Sequence, residues 1–377
     1  MINRRSFLMT SSALLLSSLI TGCENQADLE IFLLQNSIPI QLISAFKKEF
    51  GTQKIINLQP QINLQKIYDF LLKWQGKTSE RKDKSRFKIP FINRDSAPDK
   101  ISDLVTLGNY WLKSAIIEKL INPLETKKLE NWANIPPIFQ QLVTRNNLGN
   151  LDDNSMVWGA PYRWGCTMIV YREDQLNFRP QDWQDLWAEE LKGKISLLNQ
   201  PREIIGLILK KLGYSYNEEN INQIKELKTE LALLNQQVKF YDSTNYLQPL
   251  INGDTSLAVG WSTDILPVLN TQKNLKAIIP KSGTSLWADI WVNPINEATN
   301  EGRLTNIYQW INYCWQKNSA KSINLFTDGY SPIQAETKNN TKAETLSLNK
   351  LDNCDFIEPL NTESLTVYES LWQEIIS

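Results

Sequence analysis

Residues 29–74 read LEIFLLQNSIPIQLISAFKKEFGTQKIINLQPQINLQKIYDFLLKW, and the rhythm of this stretch gives the class of fold. Leu29–Leu34 is a compact apolar run of strand length. Pro39–Phe50 then carries Ile43, Phe46 and Phe50 at helical spacing and stops at Gly51. Ile55–Leu58 is a second short strand, and Leu64–Trp74 is a second helix. Strand, helix, strand, helix predicts an α/β chain with a parallel sheet covered by helices.

Downstream, residues 75–100 break the rhythm. The charged run from Lys77 to Lys88 lacks apolar periodicity and reads as a solvated loop insertion. Asp103–Thr106 resumes as a strand and Trp111–Leu120 as a helix. A second α/β segment starts near Trp158, with a buried strand at Thr167–Tyr171, a helix at Trp183–Leu191, a strand at Lys194–Leu198 and a helix at Glu203–Leu212. A long helix at Asn220–Leu234 follows. Further strands are expected at Val238–Tyr241, Leu257–Trp261, Leu275–Ile279 and Ala288–Val292, with helices at Leu304–Gln316 and Leu365–Ile376. The sequence has no internal repeat, Gly-rich phosphate loop or nucleotide fingerprint.

Upstream, the first 23 residues have the form of an export signal. Arg4 and Arg5 form a positive end, Phe7–Ile20 is apolar, and Leu19-Ile20-Thr21-Gly22-Cys23 closes the segment. A run of about 14 residues is too short for a permanent helix across a bilayer core of roughly 30 Å. The last five residues resemble a lipobox, which implies a diacylglycerol on the Cys23 thiol; the alternative is a plain secretory signal that happens to carry a Cys. Asn3-Arg4-Arg5-Ser6-Phe7-Leu8 resembles a twin-arginine signal, although ordinary signals also carry adjacent arginines. Residues 1–22 are thus expected to be removed, leaving Cys23 and a polar tether to residue 28. The other apolar runs are short, so the mature chain should be soluble apart from its anchor and bound to the membrane through lipid, outside the cytoplasm.

Composition narrows the chemistry. The 377 residues have a formal net charge of -1 and are 42% hydrophobic, enough to bury a large core in two or three lobes. Balanced charge argues against a nucleic-acid surface, which needs clustered Lys and Arg. The chain contains no histidine, so it has no Ser-His or Cys-His pair and no imidazole base or metal ligand. Its four cysteines, at 23, 166, 314 and 354, show no metal-ligand spacing, and neither a metal nor a cofactor is expected. Cys166 and Cys314 read as small buried apolar residues, with a disulfide as the alternative.

From Pro161-Tyr162-Arg163-Trp164-Gly165-Cys166-Thr167 onward the sequence resembles the periplasmic spermidine/putrescine-binding proteins of ABC importers, within the extracellular solute-binding class. The likeness continues through Asp182–Trp187, Leu191–Ile195, Pro201-Arg202-Glu203, Lys211–Tyr214 and Ile251–Asp254. It then takes in Val259-Gly260-Trp261, Pro280–Gly283, Trp287-Ala288-Asp289 and Gly329–Pro332, and reaches back to Asp103-Leu104-Val105 and Tyr110. The resemblance implies a two-lobed periplasmic-binding-protein fold of type II-like form, each lobe a sheet flanked by helices, with a hinge between. Residues 29–163 plus about 289–340 would form one lobe, and 164–288 plus about 341–377 the other. It also implies a monomer that captures a polyamine or related small organic cation and delivers it to ABC permease subunits, without acting on it as an enzyme.

Carried over position by position, the likeness makes Trp261 and Trp287 aromatic walls, Tyr110 and Tyr330 cleft tyrosines, and Asp289 and Glu203 holders of ammonium groups. The chemistry is apt, because a polyamine needs π faces and anions together: a cation–π contact contributes about 0.5–2 kcal/mol, and an unpaired ammonium leaving water is heavily penalised. Trp287 and Asp289, two apart on a strand, share one face. Any of these Trp residues could instead be core, and Glu203 could be a helix N-terminal charge. Two departures concern the ligand. Gln200 stands where the family carries a second acid, and Leu34-Gln35-Asn36-Ser37 stands where its first strand ends in aromatic and hydroxyl residues. Glu358 is a candidate to replace the missing anion. The rival readings are a binder of another small solute such as a sugar or amino-acid derivative, an envelope scaffold that kept the fold, and a carboxylate-dependent enzyme using Glu203 and Asp289.

Overall fold

The computed structural model describes residues 27–77, 100–152, 155–333, 351 and 353–376. The expected signal peptide, Cys23 and the charged run beyond Lys77 lie outside the described residues.

The opening stretch folds as its periodicity predicts. β1 (Leu29–Leu34) and β2 (Ile56–Gln61) pair in parallel and are joined by the helix Ile40–Phe50, which buries Leu42 and Phe46. The helix Leu64–Trp74 buries Ile67, Tyr68, Phe70, Leu71 and Leu72, and the Asn63 side chain caps its start by accepting from the Lys66 N–H at 2.8 Å. β3 (Leu104–Gly108) then joins β1 in parallel. Between this unit and the next lie three two-residue strands, β4 (Ile121–Asn122), β5 (Thr144–Arg145) and β6 (Met156–Val157).

β7 (Ala160–Arg172) is 13 residues long and extends well upstream of the expected Thr167–Tyr171. Its first half was hidden because Pro161, Arg163 and Gly165 interrupt the apolar pattern and Pro and Gly are weak strand formers. The later strands are β8 (Ile195–Leu197), β9 (Val238–Tyr241), β10 (Leu257–Trp261), β11 (Leu275–Ile278), β12 (Ser285–Pro294) and β13 (Asp355–Phe356). The main sheet runs β2-β1-β3-β12-β7-β10-β8-β9. β7 changes company along its length: up to Cys166 it pairs with β12, and from Thr167 onward with β10 and β11. Two sheet halves therefore share one long strand.

The parallel sheet expected of the opening unit is realised, and antiparallel strands extend it. β1, β2 and β3 are parallel, as are β8, β9 and β10, but β12 runs antiparallel to both β3 and β7. β12 returns to the first half from the second, and a returning strand fits the vacancy between β3 and β7 only in that sense. The expected helix Trp183–Leu191 is two 3-10 turns, Trp183–Trp187 and Glu189–Leu191. Asp182 and Asp185 tie the first turn in a capping box, and the Trp183 indole donates to the Gly283 carbonyl at 2.7 Å, so the segment is held from outside rather than extended. The long helix begins at Leu227, after a 3-10 turn at Ile221–Gln223. Helices at Pro137–Val143, Leu247–Asn252, Ser262–Thr271 and Lys317–Phe326 had no counterpart in the sequence reading.

Alternation along β7 feeds two cores. Ile169 and Tyr171, with Leu257 and Val259, pack against the helices Pro201–Lys211, Leu227–Gln237 and Thr362–Ile376, whereas Met168, Val170 and Ala258 belong to the larger core, which runs from the first half to Leu250 and Ile265 of the second. Cys166 and Cys314 are buried and not joined in a disulfide. Among the described residues, no helix is long and apolar enough to cross a membrane.

Candidate functional site

The change of partners on β7 creates a stripe of side chains. Arg163, Gly165 and Thr167 alternate along β7 and so share a face. Across the ladder, Asp289 stands opposite Arg163, Trp287 opposite Gly165, and on the other edge Trp261 opposite Thr167. Ser285 completes the stripe, its hydroxyl oxygen 2.9 Å from Thr167 Oγ1. From Arg163 to Thr167 the stripe runs about 13 Å, at about 3.3 Å per residue.

One end holds Glu203. It lies in the first turn of the helix Pro201–Lys211, directed onto the stripe and only 7% exposed. Its Oε2 accepts from Ser285 Oγ at 2.8 Å and Thr167 Oγ1 at 3.0 Å, and its Oε1 from the Trp261 indole at 3.3 Å. Among the described residues it makes no ion pair, and burial pushes its carboxyl above the usual range against these three donors. Its neighbour Arg202 lies over the Tyr368 ring at 5.2 Å and gives one nitrogen to Tyr216 O, Asn217 Oδ1 and Glu358 O. Trp261 is half-buried and fixed from below: its backbone N–H donates to Tyr246 Oη at 3.1 Å, and Tyr246 lies where a Cβ on Gly260 would come within 1.9 Å of the ring.

Asp289 holds the other end, 1% exposed, and its Oδ2 accepts from Arg163 at 2.7 Å. The same guanidinium donates to Thr327 O at 3.0 Å and lies 5.2 Å over the Trp287 ring. Burial raises the Asp289 carboxyl, and the Arg163 charge opposes that rise. Trp287 itself is half-buried and covers Gly165 so closely that a Cβ there would sit 2.3 Å from its Cζ2.

The structure thus brings Trp261, Trp287, Glu203 and Asp289 onto one face. Tyr110 lies beside it, in the 3-10 turn Asn109–Trp111 that follows Gly108, the β3 partner of Asp289; burial draws the Arg202 guanidinium down, and Tyr368, Tyr110 and Glu203 all oppose this. Tyr330 is not on the stripe. It bridges Trp164 through two backbone hydrogen bonds and packs on that ring at 5.8 Å, on the opposite face of β7, where burial, Cys166 and Asp328 push its hydroxyl up to about 12. Gln200 is exposed at the start of the Glu203 helix. Glu358 is exposed and paired with Arg145 at 3.2 Å. In the Leu34–Ser37 segment, Ser37 is buried and accepts from Tyr162 Oη at 2.9 Å. An open cavity of about 430 Å³ is bordered by Lys113, Gln141, Arg145, Asn217, Asp355 and Glu358 and by none of the stripe residues.

Sequence reasoning assigned no role to Arg163, Thr167 or Ser285. Arg163 and Thr167 lie inside the quoted Pro161–Thr167 motif, and their spacing of two from Gly165 was the available signal; Ser285 stands two before Trp287 in the same way.

The family model described as bacterial extracellular solute-binding protein matches residues 99–356. This chain belongs to that family. It is 28% identical over 226 residues to the spermidine/putrescine-binding periplasmic protein of Escherichia coli, covering 60% of this chain and 62% of that protein, so it spans less than two thirds of that relative. The fold extends further than the sequence match. A spermidine/putrescine ABC transporter substrate-binding protein from Streptococcus pneumoniae superposes with a TM-score of 0.74 at 21% identity, covering 93% of this chain and 99% of that one. The TpPotD lipoprotein of Treponema pallidum superposes with a TM-score of 0.68 at 15% identity over 92% of this chain and 98% of its own. The two-lobed architecture of a solute-binding protein is therefore shared over nearly the whole chain.

Proposed function

We propose that this solute-binding protein is the extracytoplasmic receptor of an ABC importer, and that it captures a polyamine or a related small organic cation for membrane permease subunits. The observation that carries this reading is Glu203: a buried carboxylate with no contacting cation among the described residues, bonded to the half-buried Trp261 indole of β10, with the half-buried Trp287 of β12 on the same face of the sheet. Such a group invites an ammonium, and the Trp faces suit its methylenes. The polyamine-binding names of the relatives agree with this chemistry. On this reading Trp261, Trp287, Glu203 and Tyr110 contact the solute, and no reaction is performed on it.

The lobes are taken as residues 29–163 plus about 289–340, and 164–288 plus about 341–377, with the hinge where the chain crosses between them at Arg163–Trp164 on β7 and Ala288–Asp289 on β12. Closure presents the occupied form to the permease, since the solute favours the closed state only through its better contacts there. The mature chain acts as a monomer tethered through lipid on Cys23; the short apolar segment before that Cys, ending Leu-Ile-Thr-Gly, supports this.

The test is tryptophan fluorescence and thermal unfolding of the purified chain against amines, sugars and amino acids. An amine should quench the indoles and raise the Tm, because a ligand of the folded state adds RT ln(1 + [L]/Kd) to stability. A response to sugars alone would replace the amine reading by the second one, a binder of another small solute, which draws on Gln200 and on the guanidinium already seated at Asp289.

A further inference from the structure

The two acids of the stripe are not equivalent. Glu203 accepts only from neutral donors, Thr167, Ser285 and the Trp261 indole. Asp289 is met by Arg163, whose guanidinium has a carboxylate at 2.7 Å, a carbonyl at 3.0 Å and the face of Trp287 at 5.2 Å. An anion, a carbonyl acceptor and a π face each favour a buried cation. The loop carrying Thr327 is shaped around this group: a Cβ at Gly329 would stand 2.6 Å from Arg163 Nε and 2.8 Å from its Cγ. Arg163 is 8% exposed and Asp289 1%, so the pair is sheltered rather than a loose surface contact.

Resting on the amine-capture reading, we infer that Arg163 is a tethered occupant of the second cation seat and sets specificity, so that the cleft takes a solute with one cationic head, held at Glu203 and Trp261, and an uncharged remainder. A second ammonium arriving at Asp289 meets a guanidinium already there and gains no counter-ion. The solute class is a monocationic amine with an apolar body rather than a diamine or triamine.

Calorimetry with putrescine and n-butylamine tests this, because they share four carbons and differ in one ammonium. A charge-assisted seat contributes about 1.5–3 kcal/mol, or about tenfold and upward in Kd. The wild-type chain should therefore prefer putrescine by less than about tenfold. Arg163→Leu should raise the putrescine-to-n-butylamine affinity ratio by about tenfold or more, while Arg163→Leu combined with Asp289→Asn, which restores neutrality in the buried pair, should lose that gain. Wild-type preference for putrescine of about tenfold or more overturns the inference and leaves amine capture standing, and needs no variant to fold. An equal gain in the single and double variants also overturns it, since Asp289 would not be the seat. Failure of both amines to bind the wild-type chain sinks amine capture, and the inference with it.

Discussion

Glu203 and Asp289 are both buried carboxylates, yet one is solvated by hydroxyls and an indole and the other by a guanidinium. Asp289→Asn would leave the Arg163 charge sheltered without its counter-ion, and breaking a buried pair in this way costs about 3–5 kcal/mol. Urea unfolding of the variant should show that loss. Glu203 titrates in the opposite sense from a paired surface acid. Its native carboxyl is raised by burial, so the folded state holds a proton more readily than the unfolded chain. The stability this brings is fully present below the unfolded value of about 4.3 and is lost as pH rises through the raised folded value. Melting curves from about pH 4 to about pH 8 should accordingly fall less steeply for Glu203→Gln than for the wild type. The same variant should bind an amine about 30-fold or more weakly, corresponding to about 2 kcal/mol for a truncated buried charge pair, by calorimetry.

At the scale of the element, β7 joins a hydrogen-bonded ladder to the candidate site. Its odd-numbered residues from Arg163 to Thr167 form the stripe, while Trp164, Cys166 and Met168 point into the core behind it. Gly165 is required by Trp287, which lies where a Cβ would be, with Ser262 Oγ 2.5 Å from the same point. Gly165→Ala must displace the indole and overpack the strand, which destabilises by about 1–3 kcal/mol. Displacing this indole from the solute's apolar body should weaken an amine about fourfold for each CH2 it uncovers, matching about 0.8 kcal/mol per buried CH2. Chemical denaturation and fluorescence titration of the same preparation read the two effects separately. The turn Trp183–Trp187 shows how an element can be misjudged from its own residues: its apolar spacing suits a helix, but the Gly283 carbonyl and the Asp182–Asp185 box hold it as a short turn.

Across the whole molecule, a sheet shared between two halves suits a protein that closes on its solute, and an anchor would keep that cycle beside a permease. Cys23→Ser should move the protein from the membrane fraction to the soluble fraction, and an unchanged distribution on fractionation would remove the lipid from the account. The opening unit was readable almost residue by residue, because β1 and the helices Ile40–Phe50 and Leu64–Trp74 are amphipathic or apolar in their own right. Trp261, Trp287, Glu203 and Asp289 were also named from their motifs, and they do converge on one face. What local pattern could not supply was the company each residue keeps. The upstream half of β7 is a strand because β12 and β3 complete the sheet beside it, despite Pro161 and Gly165. Tyr330 goes to the opposite face through its bridge to Trp164, and Asp289 is met by an arginine 126 positions away. Periodicity reports whether a segment can bury one side; charge compensation and register depend on which distant strand lies next to it, and that is settled only when the halves pack.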